Sequence, residues 1–115
     1  MDIRGSILVQ ALLDGSGILC APHVVSRGVD GHVGCFPLER ETAATVFVNG
    51  CVVFCTRPDV AISVLKEYAG LPMSAAEAIK SIDITLKRHG LYASKDANDS
   101  VAVLVPFDGS EPRVI

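Results

Sequence analysis

Cys20-Ala21-Pro22-His23 and His32-Val33-Gly34-Cys35 are two Cys/His pairs, each with two residues between its members and eight residues separating the pairs. Thiolate and imidazole are borderline-soft donors that can close tetrahedrally on Zn²⁺, which makes Cys20, His23, His32 and Cys35 the candidate zinc ligands. The competing reading is of ordinary strand residues, because Val24, Val25 and Val33 lie within the same span. A second candidate set is acidic. Asp96 and Asp99 bracket Asn98, and Asp108 follows a later apolar run. Clustered carboxylates can hold a hard divalent cation such as magnesium, but such sites usually draw donors from several segments, and a solvated polar loop is the competing reading.

The elements that must position these groups follow from periodicity. Ser6 to Leu13 is apolar at nearly every position, as expected of a central strand covered on both sides. Asp14-Gly15-Ser16-Gly17 is a turn, and Ile18 to Ala21 returns as the second strand of a hairpin. His23 to Val29 continues extended, and Cys35 to Thr42 reads as a connection. Ala43 to Cys55 holds two β-branched and aromatic runs around Asn49-Gly50, the pair that best tolerates the positive φ of a type I′ turn, so a second hairpin is expected there. Its register would put Val46, Val48, Cys51, Val53 and Cys55 on one face and Thr45, Phe47, Val52 and Phe54 on the other. Both faces are apolar, which calls for a layered setting.

After Cys55 the period changes from that of a strand to that of a helix. Thr56 is placed to cap, Pro58 suits the first turn, and Ala61, Val64, Leu65 and Tyr68 form one stripe ahead of Gly70 and Pro72. Ser74 and Glu77 make a capping box for a second helix whose buried face is Ala75, Ile79, Ile82 and Leu86, with Asp83 and Lys87 able to pair. Tyr92 to Ser100 is a polar loop, and Val101 to Phe107 is the last strand. The fold class is therefore α+β: an antiparallel-rich sheet of about five to six strands, with two helices between the penultimate and last strands, in a single domain spanning residues 1–115.

Composition narrows the partners. Half of the residues are hydrophobic, and the mean hydropathy is +0.43. A small domain has few places to bury that much apolar surface, so a face closed by a like subunit or a protein partner is expected, with Phe47, Val52 and Phe54 as its candidate residues. A net charge of −3, no Lys/Arg run and few aromatics argue against nucleic acid. There is no signal-like start and no apolar run of membrane-spanning length, so a cytoplasmic chain without a membrane partner is expected. The four cysteines are expected as reduced, mostly buried thiols; Cys51 and Cys55, four apart on one strand, are roughly 13 Å from each other.

Gly15 to Leu19 with His23, and later Asp59, resembles the His and Asp segments of trypsin-like proteases, but no Gly-x-Ser-Gly nucleophile segment follows. A broader likeness runs through the whole chain. Gly5-Ser6 opening a strand, the turn at Ala11 to Gly15, Ser26-Arg27 after the returning strand, Val52 to Thr56 ahead of two helices, and Ser94-Lys95-Asp96 leading into Val101 to Val105 resemble, in order, parts of the metal-dependent Ser/Thr protein phosphatases, the PPM family. The resemblance implies an αββα-like layer whose missing part a second copy or a partner supplies. It also implies loss of catalysis. The family's Asp-Gly-His-Gly-Gly strand and early phosphate-binding Arg are absent, its later Asp-Gly is Arg57-Pro58, and only Asp96 matches a metal-binding acid, with Ala97 and Asp99 disturbing that motif. Two bridged ions need several carboxylates. The expectation is a non-catalytic binding or assembly module with no cofactor; the alternative is a metal protein or enzyme using zinc at Cys20, His23, His32 and Cys35, or magnesium or manganese at the Asp96 to Asp99 loop.

Overall fold

A computed structural model describes residues 4–19, 23–27, 33–37, 46–68, 74–94, 97, 99–107 and 110–115. The strands are β1 (Arg4–Val9), β2 (Ala11–Asp14), β3 (Gly17–Leu19), β4 (His23–Arg27), β5 (Val33–Pro37), β6 (Val46–Phe47), β7 (Gly50–Cys55), β8 (Val101–Pro106) and β9 (Arg113–Val114). The helices are α1 (Pro58–Leu65), continued by a 3-10 turn over Lys66–Tyr68, and α2 (Ala75–Arg88). A four-stranded sheet has the order β5-β4-β1-β6, and a five-stranded sheet the order β3-β2-β7-β8-β9. Both helices fall between β7 and β8, and all but two of the strand pairs are antiparallel, so the α+β class expected from the sequence holds.

The five-stranded sheet is covered on both faces. Strand alternation sends Cys51, Val53 and Cys55 of β7, with Leu13 and Val103, toward Ala61 and Leu65 of α1 and Ile79, Ile82 and Leu86 of α2. It sends Val52 and Phe54, with Leu12, Ala102 and Leu104, toward Val9 and Val25 of the four-stranded sheet. Every residue of β7 is buried, which accounts for its unbroken apolar run. At roughly 1.5–3 kcal/mol for each fully buried Val, Leu, Ile or Phe, this strand is the main apolar anchor of both layers.

Of the hairpin expected at Ala43 to Cys55, residues 43–45 lie outside the described residues, and from Val46 onward no hairpin forms. β6 runs parallel to β1, whereas β7 runs parallel to β2 and antiparallel to β8, and neither Asn49 nor Gly50 has the positive φ that a type I′ turn requires. Instead the chain passes from one sheet into the other at Val48-Asn49, and its neighbour does the same at Gln10, where the expected single strand Ser6 to Leu13 divides into β1 and β2. The corner satisfies its own backbone: Val48 N donates to Leu8 O at 2.8 Å, Gln10 N to Gly50 O at 3.0 Å and Phe107 N to Asn49 O at 2.7 Å, while the Gln10 side-chain amide donates to Asn49 Oδ1. Gly50 is required here by proximity, since a Cβ on it would lie 2.4 Å from Val105 O. Because β6 and β7 belong to different sheets, the expected common face fails too: Val48 joins the cluster holding Val52 and Phe54, and Phe47 is exposed.

Other expectations fare differently. The hairpin through Asp14 to Gly17 forms, pairing Leu12 with Leu19 and Leu13 with Ile18, and Asp14 Oδ1 accepts from Ser16 N at 2.9 Å. Of the connection expected over Cys35 to Thr42, Cys35 to Pro37 instead belong to β5, which pairs with β4 from His23↔Pro37 to Arg27↔Val33, and residues 38–42 lie outside the described residues. The capping box is present: Glu77 N donates to Ser74 Oγ, and Ser74 N donates to the Glu77 carboxylate. Thr56 is not the cap of α1. Arg57 occupies that position without a side-chain bond, and Thr56 N donates to Leu91 O.

Candidate functional site

The four-stranded sheet has one face closed and one without a described helix. Ile7 and Val9 of β1 and Val25 of β4 pack into the inter-sheet core, so strand alternation points Leu8 the other way. The register sets Leu8 opposite Phe47 on one side and Val24 on the other, and Val24 opposite Phe36. One cross-strand row thus reads Phe47, Leu8, Val24, Phe36 across all four strands, every member apolar. Leu8 is half-buried, and Phe47, on the edge strand, is 58% exposed, the most exposed large apolar side chain among the described residues. Both helices place their buried residues on the far side of the five-stranded sheet.

Of the three residues predicted for an interface, only Phe47 lies on this surface. Val52 and Phe54 are buried inside the chain between the two sheets, because β7 is an interior strand and not the second arm of an exposed hairpin. Leu8 shares this surface with Phe47, although its all-apolar segment does not by itself show which face it takes. The signal is Gln10, a polar residue interrupting the apolar run from Ile7 to Leu13, which marks where the chain changes sheet and so which residues of that run look outward.

The candidate zinc ligands divide. His23 and Cys35 fall on the adjacent strands β4 and β5, two register positions apart, since His23 pairs with Pro37 and Cys35 with Val25. Cys20 and His32 lie outside the described residues, as do Asp96, Asn98 and Asp108. Asp99 is exposed at the end of the polar loop, and Gly15 N donates to Ala93 O at 3.0 Å, which brings the Asp14 turn beside the start of that loop. Among the described residues, no group of three or more His, Cys, Asp or Glu is placed to hold a metal ion.

One polar constellation is built into the chain near these loops. The Tyr92 hydroxyl donates to Asp83 Oδ1 at 2.6 Å, and Lys87 Nζ lies 3.1 Å from Asp83 Oδ2. The same segment carries the Leu91, Tyr92 and Ala93 backbone onto β7 through Thr56 N to Leu91 O, the Cys55↔Tyr92 bridge and Ala93 N to Phe54 O. Burial, reinforced by the hydrogen bond to Asp83, pushes the Tyr92 phenol well above its ordinary range. Burial likewise raises the Cys55 thiol, partly offset by a backbone hydrogen bond from Arg57. With its hydroxyl bonded to Asp83 of α2 and its backbone bridged to Cys55 of β7, Tyr92 clasps α2 to the sheet. Cys51 and Cys55 are both buried thiols outside any disulfide, as expected, and the Cys55 thiol donates to Val101 O at 3.7 Å.

No helix among the described residues is long and apolar enough to cross a membrane. Comparisons with protein-family models, with curated proteins and with solved structures give no match to this chain.

Proposed function

We propose that this chain is a non-catalytic assembly module of degenerate phosphatase-like design, which pairs with a second copy of itself through the outer face of its four-stranded sheet. The observation that carries the reading is Phe47, exposed at the end of the apolar row through Leu8 on the face opposite the core. A second copy is the occupant because an apolar row is complementary to its own two-fold mate, chemistry meeting like chemistry without charges to match. Half of the chain being hydrophobic supports it. So does the resemblance to the PPM phosphatases, whose αββα plan leaves this layer to be completed and whose metal-binding acids are reduced here to Asp96.

The face is small. Four strands at about 4.8 Å spacing and five residues at about 3.3 Å rise give roughly 300 Å² in plan, below the roughly 800 Å² per partner of a standard interface. Association in the micromolar range is therefore expected. Size-exclusion chromatography with light scattering, run across that range, compares wild type with Phe47→Asp and with Ile84→Asp, an exposed position on α2. Dimer for wild type and Ile84→Asp but monomer for Phe47→Asp supports the reading, and three identical monomer profiles overturn it. A hetero-partner that masks Phe47 in place of the second copy would also overturn the self-pairing. Hydrolysis of p-nitrophenyl phosphate with Mn²⁺, abolished by Asp96→Ala, would overturn the non-catalytic part.

A further inference from the structure

We draw no further inference here: the strongest candidate, the Tyr92, Asp83 and Lys87 side-chain cluster at the C-terminal end of α2, has its hydrogen bonds and ion pair within the chain, and no second observation points to a ligand there.

Discussion

Gly50→Ala tests the corner on which the two-sheet arrangement depends. A Cβ at this position would lie 2.4 Å from Val105 O, 2.9 Å from Pro106 Cα and 3.1 Å from Val105 C. All three are backbone atoms of β8, the neighbour of β7 in the five-stranded sheet, so no side-chain rotation relieves the contact and the ladder itself must move. Overpacking of this kind costs about 1–3 kcal/mol, and backbone clashes belong at the upper end. Reduced freedom of the unfolded chain returns about 0.4–1 kcal/mol. The net expectation is a loss of about 2 kcal/mol, which lowers a urea midpoint by about 1–2 M for a small domain. The chain has no Trp, so far-ultraviolet circular dichroism is the natural probe. Gly15→Ala is the control: its Cβ meets nothing nearer than 3.6 Å and its φ is not positive, so it should be neutral or slightly stabilising. Equal midpoints for wild type and Gly50→Ala, or an equal loss in both variants, would refute the close approach of β7 and β8 and the change of sheet at Asn49.

Tyr92→Phe removes a hydrogen bond to a buried carboxylate and should cost about 1–3 kcal/mol, whereas Lys87→Met, at the exposed end of the same cluster, should cost under about 0.5 kcal/mol; urea melts compare them. The folded chain holds the Cys55 thiol above its ordinary 9.0 and the Tyr92 phenol above its ordinary 10.0. On raising the pH the unfolded chain therefore loses these protons first, and the linked stability, fully present below about 9, declines above it. The urea midpoint should accordingly hold from neutral pH to about 9 and then fall, and Tyr92→Phe should lack the part of the fall that begins near 10; a midpoint rising with pH above 9 would contradict this. Cys51 and Cys55, both fully buried, should resist a thiol reagent in the native protein and react on unfolding, as read by peptide mass mapping. Ser74→Ala should cost about 1 kcal/mol through loss of the capping box, measured by thermal melting.

The helices were legible because their signals are local: Pro58, the Ser74 and Glu77 pair, the spacing of Ile79, Ile82 and Leu86, and Gly90, whose φ of +63° ends α2. The hairpin at Asp14 to Gly17 was legible for the same reason. What the sequence concealed was partner choice among strands. Asn49-Gly50 carries the residue types of a tight turn, and only long-range contacts with Gln10 and Phe107, beside that of Val48 with Leu8, make it a corner between sheets. The apolar character of both faces of Gly50 to Cys55 was readable, but it is equally satisfied by a hairpin or by an interior strand. Under the first arrangement Val52 and Phe54 would face a partner, and under the second they are buried between the two sheets, as observed. The outward face of the four-stranded sheet depends on register between strands far apart in sequence, such as Leu8 with Phe47, which periodicity within one segment does not specify.

Native mass spectrometry of the untagged wild-type chain, alongside Phe47→Asp, tests the central claim most directly, because stoichiometry and bound metal are read together. The account predicts wild type at twice the chain mass, populated increasingly through the micromolar range and carrying no metal, with Phe47→Asp at the mass of one chain. Wild type remaining at the mass of one chain throughout, or a near-stoichiometric zinc or manganese adduct, would contradict it.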